Sequence, residues 1–188
     1  MDAFAFWEKF KVHINKNTEL IGLWSDSGKF TDKIIEKLRY DVIAEEGVIT
    51  EKEYFRIDLI SYRDNKKDSA DKYLHKHLYK YTWDLVTAVE HENESANWMD
   101  EVIKLAYIAC PLRVVIGYWP KKQKEEQQEC LDKIAKELNG IQAWETTSLC
   151  GEFMIILGDS ALGRDVSGRC VYTPYIYDPE SQRFELFE

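Results

Sequence analysis

The chain has 188 residues, 45 % of them hydrophobic, and a formal net charge of −9. This size and apolar content predict one folded domain with a single core and argue against a disordered chain. No run approaches the ~20 apolar residues that span a bilayer, and residues 1–8 lack the basic start of a secretory signal. We therefore expect a cytoplasmic protein that does not engage a membrane. The acidic charge counts against a strongly basic nucleic-acid binder.

The cysteines do not indicate a metal centre. They stand at Cys110, Cys130, Cys150 and Cys170, and no C-x-x-C pair occurs. Zinc is therefore not expected, and in a cytosolic chain these residues are most simply free thiols.

Two helices are predicted before the first strand. Thr31 is expected to cap the second of them, and Gly47 stands where its C-terminal cap is expected. The apolar residues at helical spacing in these two segments are Phe6, Trp7, Phe10, Ile14, Ile34, Leu38 and Val42. Glu45 falls on the buried stripe of the second helix, where a carboxylate is costly unless it is satisfied. It is either such a satisfied acid or an exposed residue at a frayed helix end.

Two predicted strands carry carboxylates. Residues 56–61 and 84–93 are rich in aliphatic and β-branched side chains. Asp58 points away from Leu59 on the first strand, and Glu90 and Glu92 share one face of the second. If the strands pair, the three carboxylates converge on one spot. Because carboxylates repel each other, this convergence indicates a hard divalent cation, Mg²⁺ or Mn²⁺.

The remaining segments alternate helices and strands. Residues 64–83 are predicted to be a basic, aromatic insertion that contacts a nucleic acid strand, forms a lid or binds a partner. A helix at residues 95–109 and a buried strand at residues 112–118 complete a β-α-β crossover. A charged helix at residues 121–138 and strands at residues 153–158, 171–177 and 183–187 are predicted to extend and cover the sheet.

The Arg56-Ile57-Asp58-Leu59 strand, followed by a hydrophobic strand with Glu90 near its end, resembles the PD-(D/E)XK nuclease superfamily. The resemblance covers about residues 30–118 and implies a single restriction-endonuclease-like domain over residues 1–188. Its central mixed sheet would be flanked by helices, with an antiparallel extension at residues 119–188. The resemblance also implies that a helix before the aspartate strand donates an acid, for which Glu45 is the candidate.

One position departs from the family pattern, because Glu92 stands where the motif lysine is expected. Glu92 would act as a further metal ligand or as a general base. In some relatives the lysine is moved to the following helix, where this chain has Lys104. Lys104 is either that replacement or an ordinary surface lysine. His91 points to the opposite strand face from Glu90 and is expected to be a packed or hydrogen-bonded histidine.

The resemblance implies metal-dependent hydrolysis of phosphodiester bonds in a nucleic acid, with DNA favoured over RNA. Asp58, Glu90 and Glu45 would bind Mg²⁺ or Mn²⁺, and Glu92 and Lys104 would assist catalysis. The alternative is a catalytically inactive, nuclease-like scaffold that binds a protein partner, which the charge of −9 and the missing lysine favour. A third hypothesis is an unrelated α/β protein whose carboxylates are structural.

Overall fold

The computed structural model describes residues 1–15, 18–64, 83–94, 97–120, 124–159 and 172–187. Almost all of the predicted insertion, including His75 and His77, lies outside the described residues, as does Cys170. Within them the chain forms a seven-stranded mixed sheet flanked by helices, so the predicted α/β class is confirmed. No helix in the described ranges is both long enough and apolar enough to cross a membrane.

The chain begins with helices, which lie between Ala3 and Val42. The helices are α1 (Ala3–Phe10), α2 (Thr18–Leu23) and α3 (Ser27–Lys37); π-helical turns extend α1 through Lys11–Asn15 and α3 through Leu38–Val42. The prediction that α3 begins at Thr31 is wrong. The Asp26 side chain accepts the Lys29 backbone N–H at 3.2 Å and caps the helix there, because a carboxylate satisfies the free N–H groups of a first turn.

The strands lie in the sheet in chain order. They are β1 (Ile49–Tyr54), β2 (Ile57–Asp64), β3 (Trp83–His91), β4 (Leu112–Trp119), β5 (Glu152–Asp159), β6 (Tyr172–Asp178) and β7 (Arg183–Leu186). Strands β3, β4 and β5 pair in parallel, and every other neighbouring pair is antiparallel. The predicted antiparallel extension corresponds to β6 and β7.

Helices make the parallel connections. Helix α4 (Trp98–Ala106) joins β3 to β4, and α5 (Lys124–Asn139) and α6 (Gln142–Thr147) lead to β5 through the 3₁₀ turn Ser148–Cys150. Parallel strands need such crossovers, because the chain has to return to the same edge of the sheet. The sequence patterns did not predict β1 or α6. Strand β1 is rich in charged residues and largely exposed, so it lacks a buried period-2 pattern.

Two cores lie on opposite faces of the sheet. Val114 and Ile116 of β4 pack with the N-terminal helices, whereas Val115 packs with α4 and α5. This alternation follows from the period of two along a strand. The sheet is therefore buried on both faces, and α4 lies on the face to which Val115 points.

Helix α4 is seated against β4 at Gly117. A Cβ atom added to Gly117 would lie 2.4 Å from Cγ of Trp98, which is fully buried at the start of α4. Because this ring carbon is part of a rigid, buried side chain, it has little room to move away.

We expect Gly117→Ala to lower the free energy of unfolding by about 1–3 kcal/mol, the usual cost of overpacking a core. Urea unfolding measures the change. Gly22→Ala is the matched control, because a Cβ there meets nothing within 4 Å. A loss no larger in Gly117→Ala than in the control would contradict this account of how α4 is positioned.

Candidate active site at the β2, β3 and α4 junction

The structure brings Asp58 and Glu90 together. Strands β2 and β3 pair with Leu59 opposite Val89, so the next pair along the ladder sets Asp58 opposite Glu90. Oδ2 of Asp58 accepts the backbone N–H of His91 at 2.8 Å, and the strand pairing sets the Asp58 carboxyl group beside that of Glu90. The Glu90 side chain is only 2 % exposed. Two carboxyl groups thus share a nearly closed space at the end of β3.

Lys104 of α4 supplies the cation of this cluster. Its Nζ lies 2.7 Å from Oε1 of Glu90 and donates a hydrogen bond to the Arg56 carbonyl oxygen at 2.8 Å. Its side chain remains 34 % exposed. The ammonium therefore lies between the buried Glu90 carboxylate and solvent, with its aliphatic stem along the helix.

Glu101 is the residue that the sequence analysis missed. It stands one helical turn before Lys104, and its Oε2 forms a close ion pair with Nζ of Lys104. Residues three apart share one face of a helix. This spacing, together with the prediction that Lys104 reaches the site, was the signal that could have found Glu101. The site thus contains three carboxyl groups and one ammonium.

Burial and charge together change the protonation of these acids. Burial is the main cause that raises the pKa of Glu90 to about 8, and the nearby acids Asp58 and Glu101 add to it while Lys104 opposes it. Burial likewise raises the pKa of Asp58, although the His91 N–H and the charge of Lys104 work against the rise. Burial alone would lower the pKa of Lys104, but its hydrogen bonds with Glu101 and Glu90 raise it overall. The cluster accordingly retains a proton at neutral pH.

Glu45 does not lie on a buried helical stripe, and the structure does not place it with Asp58 and Glu90. It lies beyond the π-helical end of α3, where it forms ion pairs with the N-terminal ammonium of Met1 at 3.9 Å and with Arg63 at 3.6 Å. Arg63 and Asp58 lie near opposite ends of β2. At about 3.3 Å per residue in an extended strand, the two residues are roughly 17 Å apart. The helix ends before Glu45, so the helical spacing used in the sequence analysis does not apply to it.

Glu92 also departs from its predicted position. Strand β3 ends at His91, and the Glu92 carboxylate accepts the backbone N–H of Glu94 at 2.8 Å. The alternation that would aim Glu92 at Asp58 holds only within a strand. Beyond the strand end, a local turn fixes the direction of the side chain instead.

His91 lies on the opposite face from Glu90. Its Nε2 lies 3.0 Å from the Tyr118 hydroxyl, which lies 2.9 Å from the Tyr172 hydroxyl. Burial lowers the pKa of His91 to about 3, so the ring is neutral. His91 is thus a buried, hydrogen-bonded histidine, and it contributes only its backbone N–H to Asp58.

No family model, no curated protein and no solved structure matches the chain. In the described part of the chain, no three His, Cys, Asp or Glu side chains are grouped as ligands for one ion. The chemistry of the site is therefore argued from its own residues.

The raised pKa of Glu90 makes stability depend on pH. The ordinary pKa of 4.5 applies to the unfolded chain, and the folded value is about 8. Between these values the folded state keeps a proton that the unfolded state has lost. The free energy of unfolding that this group contributes is therefore complete below pH 4.5 and is lost as the pH rises through 8.

We expect Glu90→Gln, which keeps the shape without the charge, to be more stable than the wild type at pH 8.5. The pKa of Glu90 rises from 4.5 to about 8. At about 1.4 kcal/mol per pKa unit, the gain should be roughly 4–5 kcal/mol and should shrink toward pH 5. Urea unfolding across this pH range measures it. The exposed Glu137→Gln serves as control. Parallel pH profiles for all three proteins would show that Glu90 ionises as an ordinary carboxyl group.

Proposed function

We propose that this chain is a divalent-metal-dependent nuclease of the PD-(D/E)XK type, with Asp58 and Glu90 as metal ligands and Lys104 in the role of the motif lysine. The observation that carries the proposal is the 2.7 Å contact between Nζ of Lys104 and Oε1 of Glu90, beside Asp58. A helix thus presents, at the paired carboxyl groups, the ammonium that the strand lacks at Glu92.

The order of the elements supports the same proposal. A helix precedes three antiparallel strands, the aspartate stands on the middle strand and the glutamate on the third, and a helix then leads to a parallel strand. Apart from β1, which the sequence did not predict, this is the order that the resemblance implies. The order alone fits many α/β proteins, so the contact at Glu90 carries more weight.

The donor set suits Mg²⁺ or Mn²⁺. Three oxygens surround the Lys104 ammonium, from Glu90, Glu101 and the Arg56 carbonyl. Asp58 stands opposite Glu90 on the neighbouring strand, and hard cations prefer oxygen ligands. Mg²⁺ in phosphoryl-transfer sites commonly uses one or two carboxylates and completes its shell with water and substrate phosphate. Three acids with one lysine also leave an excess of negative charge, which adds to the effect of burial in raising the pKa of Glu90.

Each residue of the site has a separate role in the proposed hydrolysis. When bound, the ion would polarise the scissile phosphate as a Lewis acid. Glu90 has to release its proton before it can ligate, so activity should increase with pH toward 8. Lys104 stabilises negative charge that develops on the phosphate or on the attacking water. Glu101 orients the Lys104 ammonium, and the His91 N–H orients Asp58.

A non-catalytic scaffold is the rival function, and the same contact gives it some support. Lys104 already provides a cation to Glu90 and Glu101, which is how a cluster that no longer binds metal would be neutralised. The net charge of −9 also disfavours broad contact with phosphates. Metal binding and cleavage separate the two functions.

We expect Mn²⁺ to raise the melting temperature of the wild type, because an ion that binds only the folded state stabilises it. At a concentration of 100 times Kd the gain is about 2.7 kcal/mol, or roughly 5–10 °C for a chain of this size. Asp58→Asn should remove the shift and should melt higher than the wild type without metal, since it relieves repulsion. Glu92→Gln is the control and should keep the shift. Equal shifts in all three proteins would place the ion elsewhere.

We expect the purified protein to cleave DNA weakly in the presence of Mn²⁺ and to lose this activity in Glu90→Ala. Lys104→Ala should lower the rate about 100-fold, the usual effect of removing one charge-stabilising group, while the Mn²⁺-induced melting shift persists. Glu92→Ala should cleave like the wild type, because its carboxylate faces the Glu94 N–H. Gel assays with single- and double-stranded DNA and RNA measure the rates. Metal binding without any cleavage would favour the scaffold.

A further inference from the structure

The turn between β1 and β2 has an unusual backbone. Tyr54 pairs with Ile57, so only Phe55 and Arg56 form the turn, and their φ angles are 51° and 63°. A two-residue turn with both φ angles positive normally uses Asn-Gly, because a Cβ is disfavoured in the left-handed region. Two large side chains are therefore held here in a conformation that neither prefers. Such outliers concentrate at functional sites.

The Phe55 ring at this turn is largely uncovered. Phe55 is 71 % exposed, and its ring contacts the edge of Tyr54 with centroids 4.6 Å apart. Arg56 is also exposed, and no ion pair joins its guanidinium to the described residues. The turn thus presents an aromatic face and a cation to solvent.

The turn is attached to the candidate active site. The Arg56 carbonyl accepts the Lys104 hydrogen bond at 2.8 Å, and Asp58 follows Arg56 by two residues. The turn therefore adjoins the residues that carry the candidate site, Asp58 on β2 and Lys104 on α4. This proximity separates Phe55 from other exposed aromatic residues such as Phe4, which lies on α1.

We propose that Phe55 and Arg56 form a substrate-positioning tip for single-stranded nucleic acid, which rests on the proposed nuclease function. A base stacks on the Phe55 ring, and the Arg56 guanidinium contacts a neighbouring phosphate. Bases within a duplex are covered by their neighbours, so an aromatic side chain at a hairpin tip reaches only an unpaired base. Arg56 is the cation of the turn, and Glu53, exposed on the same hairpin, adds a negative charge. The affinity for nucleic acid is therefore expected to be modest and sensitive to salt.

Fluorescence anisotropy with a fluorescein-labelled oligothymidine, in EDTA so that no cleavage occurs, tests the tip. Phe55→Ala should weaken binding about tenfold, within the range measured for loss of one stacked base, whereas Phe55→Trp should retain it. Arg56→Gln should weaken binding and reduce the salt dependence by about one released ion. Phe4→Ala, an equally simple loss of an exposed ring, should bind like the wild type.

Phe55→Gly separates binding from folding. Glycine accepts the left-handed conformation, so this variant should melt no lower than the wild type and still bind oligothymidine about tenfold more weakly.

The outcomes distinguish the tip from the nuclease. Suppose that the wild type cleaves nothing and that Phe55→Ala binds oligothymidine more weakly than the wild type does. This result would support the tip and contradict the catalytic function. Equal binding by wild type and Phe55→Ala, or no binding by the wild type, would overturn the tip even if cleavage is observed. If Phe55→Ala loses as much affinity for a labelled duplex as for oligothymidine, the assignment of the tip to single strands would be overturned.

Discussion

The burial of the Glu90 carboxyl group is the constraint on which the rest of the site depends. A carboxylate at 2 % exposure is costly unless cations or hydrogen-bond donors surround it. Here Nζ of Lys104 lies 2.7 Å from Oε1 of Glu90, and burial raises the pKa of Glu90 to about 8, so that its protonated form is favoured below that pH. Removing Lys104 would leave this acid without its cation, and a divalent ion would compete with both the proton and the ammonium. The protonation of Glu90 and the position of Lys104 on α4 are therefore coupled through one side chain, and the affinity for the proposed metal ion would be coupled to both.

The scaffold around this carboxyl group is rigid for reasons that lie in the sheet. Strands β3 and β4 are buried on both faces, and α4 is held against β4 by the contact of Trp98 with Gly117. Behind the sheet, the hydrogen-bonded row of His91, Tyr118 and Tyr172 fixes the end of β3. The His91 backbone then holds Asp58. A site built on strands and a packed helix keeps its donors in place better than one built on loops.

Helix α4 is hydrogen-bonded to the hairpin turn at the carbonyl oxygen of Arg56. Because Lys104 bonds to this oxygen as well as to Glu90, the turn and the acidic cluster are linked. A change in the position of the Lys104 ammonium would alter its hydrogen bond to the turn, where Phe55 and Arg56 have positive φ angles. Under the proposed nuclease function, this link would place the few basic groups of the site beside the carboxyl groups that act on the substrate.

The sequence by itself determined the α/β class, the carboxylate strands and the helix after them, because period-2 and period-3.6 patterns are local and survive in any packing. It also singled out Asp58, Glu90 and Lys104. It did not find β1, whose charged residues form a strand by pairing with β2, and it misplaced Glu45 and Glu92, whose directions depend on where a helix and a strand end. Glu101 and the Arg56 carbonyl entered the site only through tertiary structure. Residues distant in sequence meet when α4 docks on the sheet, and the docking is decided by packing against Gly117, which no local pattern records.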